Sequence, residues 1–244
     1  MLSGLKISSR ENLTSRVHPQ LREALMGGRF WPGQRLRIRE MALAMGVSDA
    51  PIREAVMQLV REGGLEMRSS QSINVVRLSL GRYLELREIR LLLGGLATEK
   101  ATPLLSDPVL ADLDELHRQL IEAERNQDFE AAVRTNFEFH FTIYRASQAV
   151  DLVTILEGIW LRNGPLLNLQ YPHAPPTYPG VHQHLNVMAA LRRRDAQAAR
   201  QAIQADTLEG GRLLVELLGK LERGDAEIVE GPEGRMRVAF SGLA

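Results

Sequence analysis

The sequence predicts a mainly α protein: an N-terminal winged helix-turn-helix domain followed by a six- to seven-helix antiparallel bundle. Three observations predict it. Apolar residues recur at helical spacing through most of residues 13–219. Within residues 38–62, two such runs are separated only by a short turn, the mark of a helix-turn-helix. Two short β-like runs, 65–68 and 73–76, follow at once and are joined by the polar turn Ser69-Ser70-Gln71-Ser72, so they read as a wing. The 244 residues suffice for two ordinary domains, drawn at 1–78 and 79–219, with a tail at 220–244.

Each element has a local cause. Val17, Leu21, Ala24 and Leu25 form an apolar stripe over residues 13–26, and Gly27-Gly28 stops that helix. Trp31-Pro32-Gly33 is a rigid turn. The run from Ile38 to Met45 carries Met41, Ala42 and Met45 on one face and exits at Gly46, since glycine tolerates a left-handed turn. Val47 plugs the turn, and Ser48 is placed to cap the next helix through its hydroxyl. Pro51 sits in the first turn, where its missing N–H costs nothing. Ile52, Ala55, Val56, Leu59 and Val60 then face inward while Arg53, Gln58 and Arg61 face outward.

Past a short linker at 78–80, where Ser79 is placed as a cap, the helical segments are 79–101, 107–126, 128–147, 149–169, 178–194 and 195–219. Pro103, Ser106-Asp107-Pro108, Gln127-Asp128 and the proline-rich stretch 171–180 supply the breaks. Short connections between helices make a bundle. The tail leaves two readings open: disorder, or pairing of residues 236–240 with a neighbour.

Net charge is zero, but it is unevenly spread. Residues 1–78 hold 12 Lys+Arg against 7 Asp+Glu, and the remainder 18 against 23. That asymmetry suits a chain of which one half meets phosphate, although mildly basic solvated helices are also common. The absence of cysteine excludes disulfides and thiolate metal sites. The lack of a long apolar run and of a leader-like start gives a cytoplasmic expectation with no membrane partner.

Trp31-Pro32-Gly33-Gln34-Arg35-Leu36, Gly46-Val47-Ser48, Pro51-Ile52-Arg53-Glu54-Ala55 and Glu62-Gly63-Gly64-Leu65 together resemble the DNA-binding domain of the GntR family of bacterial transcription regulators. Leu84-Glu85-Leu86-Arg87-Glu88-Ile89-Arg90, Phe139-His140, Gln183-His184 and Ala198-Ala199-Arg200 are similar to the all-helical (FCD-type) effector domain of its FadR-like branch. The resemblance implies a homodimeric, ligand-responsive regulator, more commonly a repressor, on a near-palindromic double-stranded DNA operator.

A recognition helix reads base edges with its N-terminal residues while flanking cations hold phosphate. Ser48, Asp49 and Arg53 lie at that end; Arg35 and Arg39 are placed to hold the backbone, and Ser69 and Ser70 form the wing tip that the resemblance sends to the minor groove. The ordinary alternative for each arginine is a solvated charge. Asp49 departs from the family, which has an arginine there. A carboxylate cannot donate to guanine but can accept from cytosine N4. The wing also lacks the usual glycine near residues 70–72.

Asn136 and His140, four apart, share a helix face. The resemblance implies that Asn136, His140, His184 and Asp206 converge on a divalent metal (Zn, Ni, Mn or Fe), with Asp206 replacing a histidine and Asn136 a neutral variant of the first ligand. Imidazoles with a carboxylate suit such ions; the ordinary alternative is hydrogen-bonded core histidines. Read as a helical residue, His182 lies about 200° round from His184, so only one of the two faces inward. His117 and His173 have no evident partners. The resemblance further places Arg87 facing the bundle cavity, where a guanidinium pairs both oxygens of a small carboxylate effector, with Tyr144, Trp160 and Arg162 shaping the pocket. Two rival readings are a metal-dependent enzyme built on a 2-His-1-carboxylate site and a DNA-binding structural protein without effector.

Overall fold

A computed structural model of the chain describes residues 13–69, 72–178, 180–231 and 236–241. The N-terminal half comprises α1 (Leu13–Met26), β1 (Arg35–Leu36), α2 (Ile38–Met45), α3 (Asp49–Glu62), β2 (Leu65–Ser69) and β3 (Ser72–Val75). Gly46 (φ 65°) and Gly63 (φ 81°) end α2 and α3 in the left-handed conformation that only glycine adopts freely. Ser48 holds the N-cap position of α3, but its side chain makes no capping bond, contrary to expectation. The short β1 escaped the sequence reading; it pairs with β3, so the wing is a three-stranded antiparallel sheet ordered β1-β3-β2. The two-residue β1 is too short to show a period.

The second half contains α4 (Leu80–Ala101), α5 (Asp107–Arg125), α6 (Phe129–Ala146), α7 (Val150–Asn163), a 3-10 turn (Gly164–Leu169), α8 (Gln183–Arg192), α9 (Ala196–Gly210) and α10 (Arg212–Arg223). Ser79 caps α4 by accepting from the Arg82 N–H at 3.3 Å. The expected helix 195–219 is two helices, because Gly210 and Gly211 admit the hydroxyls of Tyr178 and Tyr83: a Cβ would meet them at 2.8 and 2.9 Å. The expected helix 178–194 starts only at Gln183, and His182 is its N-cap residue in an extended backbone. In the tail, β4 (Ala226–Glu230) and β5 (Met236–Phe240) form a hairpin whose Ala226 and Val238 are buried against α10 and the 3-10 turn. No helix among the described residues is long and apolar enough to cross a membrane.

One hydrophobic core runs through both halves, from Val17, Leu25, Ile52 and Leu59 to Phe139, Phe141, Trp160 and Leu161. The winged half is docked by specific contacts. Trp160 Nε1 donates to the Met26 carbonyl at 3.2 Å. Asn168 donates to the Phe30 carbonyl at 3.0 Å. Arg22 ion-pairs both Glu62 on α3 and Glu157 on α7. Gly28 and Gly64 allow the backbone to touch the bundle: added Cβ atoms would lie 2.5 Å from Val133 Cγ1 and 2.8 Å from Leu161 Cγ. A buried donor bonded across such a seam is costly to break, because both partners would be left unsatisfied.

Candidate functional site

At the centre of the bundle, α6, α8 and α9 bring His140, His184 and Asp206 together, with donor atoms within 4.8 Å of one another and all three side chains buried. His140 Nε2 is 3.2 Å from Asp206 Oδ2, and His184 Nε2 is 3.8 Å from Oδ1. Tyr178 donates to Asp206 Oδ1 at 3.1 Å. His140 Nδ1 contacts the Tyr144 hydroxyl at 3.4 Å, and the His184 ring stacks on Phe139 at 3.7 Å. Asn136, one turn before His140, lines the same cavity but makes no side-chain hydrogen bond among the described residues.

Burial lowers the pKa of His140 and His184, against the pull of Asp206. Burial alone would raise Asp206, but His184, the His140 hydrogen bond and His182 outweigh it and hold the carboxyl well below its usual range. The cluster is one carboxyl group among imidazoles, all buried in the protein. Both nitrogens of His184 are buried without a partner. Unpaired buried nitrogens beside a buried carboxyl are unfavourable unless an ion or a water completes the set. The residues therefore fit a divalent metal: His140, His184 and Asp206 would hold it, and a bound ion would supply a Lewis-acidic centre for an oxygen ligand. Tyr144 is placed to orient His140 through its outer nitrogen, the arrangement that fixes a metal-binding imidazole.

The cavity at this cluster is small, about 40 Å³, and is walled by Arg90, Ala132, Val133, Asn136, Tyr171 and Tyr178 among others. Arg90 is the cation that faces it, which the sequence reading assigned to Arg87. The Arg90 Nε is buried without a hydrogen-bond partner, and no carboxylate pairs with it among the described residues. Its guanidinium lies 4.1 Å from the centre of the Trp160 ring. Arg87 is one turn away and does not line the cavity; it lies 6.0 Å from the Tyr83 ring. Four further expectations need correction. Trp160 is a buried linchpin between the halves and no pocket wall. Arg162 packs beside Gly63 at the end of α3, its Nε 3.3 Å from where a Cβ would be. Tyr144 is fully buried behind His140 and against Gly94. His182, expected to turn away from His184, has its ring 4.5 Å from it, because a cap residue does not obey helical spacing.

A second feature lies on the winged half. A groove of about 530 Å³ is lined by Arg37, Arg39, Asp49 and Arg53 over Ile38, Val56 and Met67. Arg39, Asp49 and Arg53 are exposed there, and Ser48 is exposed just before them. Arg37 is engaged with Glu40 at 2.6 Å. Arg35 is exposed on β1, outside the groove wall. The backbone of Ser69 pairs with Ser72 at the wing tip after a register shift. Ser70 lies outside the described residues.

Comparison with known proteins agrees with this two-part layout. Residues 13–75 match the gntR family of bacterial regulatory proteins, and residues 85–207 match the FCD domain. The HTH-type transcriptional regulator McbR of Escherichia coli K12 is 31% identical over 195 residues, covering 79% of this chain and 88% of that protein. The HTH-type transcriptional repressor RspR of the same organism is 22% identical over 201 residues, covering 81% and 87%. The solved structure of E. coli McbR/YncC superposes with a TM-score of 0.77 at 28% identity, over 87% of this chain and 99% of that one. These relatives are named as transcriptional regulators, which sets the enzyme reading aside. The chain belongs to the GntR family of DNA-binding bacterial transcriptional regulators and carries an FCD domain as its helical half.

Proposed function

We propose that this regulator is a cytoplasmic homodimer that represses from a near-palindromic operator and releases it when a small organic acid enters the helical half. The acid would be held jointly by a divalent metal (Zn, Ni, Mn or Fe) on His140, His184 and Asp206, with Asn136 as a weak fourth ligand, and by the guanidinium of Arg90, which has no carboxylate partner among the described residues. The observation that carries the reading is the buried His140–His184–Asp206 set facing an arginine without a carboxylate partner. A metal takes one oxygen of a carboxylate and a guanidinium pairs with others.

The small cavity bears on the switch. About 40 Å³ admits an ion and a water and little more. A carboxylate therefore requires the walls to move, so it binds one state of the bundle better than the other, which is the condition for shifting an equilibrium. Two walls reach the end of α1: Val133 touches Gly28, and Arg90 stacks on Trp160, which holds Met26. Displacing either would move the winged half relative to its partner in the dimer. Two recognition helices on half-sites one helical turn apart then lose their common register.

On the DNA side, Arg39 and Arg53 supply the groove's cations and Asp49 sets base preference, with Ser48 beside them, Arg35 as a backbone contact and the wing residues Ser69 and Ser70 at the minor groove. The test is elemental analysis of untagged, chelator-free protein beside Asp206→Ala, followed by operator binding with and without a panel of short di- and hydroxycarboxylates. About one metal per chain, lost in the variant, with an acid that weakens operator binding, is the expected result. Metal-free protein that takes up none on addition sinks the metal part; operator affinity indifferent to metal and every acid would favour a DNA-binding structural role instead.

A further inference from the structure

Beside the inner set lies a second group of nitrogen donors. His117 of α5, His182 at the α8 cap and His184 bring their donor atoms within 4.8 Å of one another. Ring centres are 5.0 Å apart for His117–His182, 4.5 Å for His182–His184 and 5.7 Å for His117–His184. His182 Nδ1 accepts from the His184 backbone N–H at 3.2 Å. In the neutral ring that bond puts the proton on Nε2; for Nε2 to meet a metal the proton moves to Nδ1 and the bond to the His184 N–H breaks. His117 Nδ1 is buried without a partner, and so are both nitrogens of His184. His184 is wholly buried while His117 and His182 are half-buried, so this group lies on the solvent side of the inner one.

We propose that His117, His182 and His184 form an outer site for a borderline divalent cation, and that this site loads the buried one. Three neutral imidazoles suit Zn, Ni or Cu and leave a coordination position open. Tetrahedral coordination brings donors to about 3.4 Å from each other at the usual metal–nitrogen length. Small rotations of the half-buried His117 and His182 rings close the remaining distance. His184 belongs to both sets, with its Nε2 already turned toward Asp206. Two dications flanking one imidazole, with one carboxylate between them, repel strongly in a buried setting, so the two sites fill in turn and not together. The cation is first held by three neutral ligands at the surface side and then gains the Asp206 charge on moving inward.

The experiment uses untagged, full-length protein and Zn²⁺ alone. In His140→Ala/Asp206→Ala, equilibrium dialysis should still find about one Zn²⁺ per chain, and adding His117→Gln and His182→Gln should weaken that binding at least tenfold. A folded inner-site variant that binds no Zn²⁺, or whose binding ignores the two glutamines, overturns the proposal. Because the inner ligands are absent in this arm, its outcome is separate from the fate of the inner site. A second arm avoids core substitutions. With Co²⁺ as a visible probe, His117→Gln should reach the wild-type stoichiometry while loading at least tenfold more slowly; loading at the wild-type rate overturns the entry role.

Discussion

Gly28→Ala tests the seam between the DNA-binding and helical halves. Gly28 has φ +75°, and a Cβ there would lie 2.5 Å from Val133 Cγ1 on α6. The left-handed backbone costs a side-chain-bearing residue about 1–2 kcal/mol. Overpacking against a buried valine adds about 1–3 kcal/mol. The sum is centred on about 3.5 kcal/mol, which for a chain of this size lowers the midpoint of thermal unfolding by about 7–14 °C. The two parts are separable. Val133→Ala leaves a cavity where the new methyl group would go, so in the double variant the overlap vanishes and only backbone strain and part of the lost valine contacts remain. The double variant should therefore be more stable than the sum of the single changes by about 1–2 kcal/mol, read from denaturant midpoints in a double-mutant cycle. Additivity within about 0.5 kcal/mol would refute the reasoning, since it would mean that Gly28 and Val133 are not in the close contact on which the docking rests.

Arg90→Gln should weaken binding of an effective carboxylate roughly 10–100-fold, the worth of a charge-assisted hydrogen bond, while Arg87→Gln leaves it nearly unchanged; calorimetric titration of both variants with that acid decides between the two arginines. Asp49→Arg should tighten operator binding and change base preference at one symmetric position, by about 1–3 kcal/mol per half-site. Selected binding sites identical for both proteins would remove Asp49 from the readout. Trp160→Phe deletes the bond to the Met26 carbonyl and weakens the stack under Arg90, so acid binding should persist while its effect on operator affinity shrinks by about 1 kcal/mol; an unchanged effect would remove Trp160 from the coupling route.

The winged half was readable because its signals are local. Gly46 and Gly63 stand where left-handed exits are needed, Pro51 where an N–H is dispensable, and of the α3 residues expected to face inward Ile52, Ala55, Val56 and Leu59 are buried and Val60 is half-buried. Ser48 shows the limit of that logic, since occupying the cap position did not oblige its hydroxyl to bond. The tail was ambiguous because the pairing partner of residues 236–240 is β4, a strand of mixed polarity whose pattern is weak until α10 covers one face.

The sensing half was legible as a set of residue types but not as a set of directions. Arg87 and Arg90 are three apart on α4, a separation of about 300°, so they stand on neighbouring faces and periodicity cannot rank them. What separates them is height along the helix, not face. A Cβ on Gly94 would meet the Tyr144 hydroxyl at 2.8 Å, so the Gly94 face is the one pressed toward His140 and Tyr144. Arg87, seven residues before Gly94, and Arg90, four before it, both lie on that face, about 20° and 40° round from it; Arg90 is one turn nearer and lines the cavity, and Arg87 does not. No local signal in the sequence ranks the two. His182 has the opposite lesson. Helical spacing separates it from His184 only if both are helical, yet the proline-rich stretch delays α8 to Gln183 and leaves His182 in extended backbone, where its ring turns back over the helix start. The late helix start thus does more than shorten an element: it is what places a third imidazole within reach of His117 and His184.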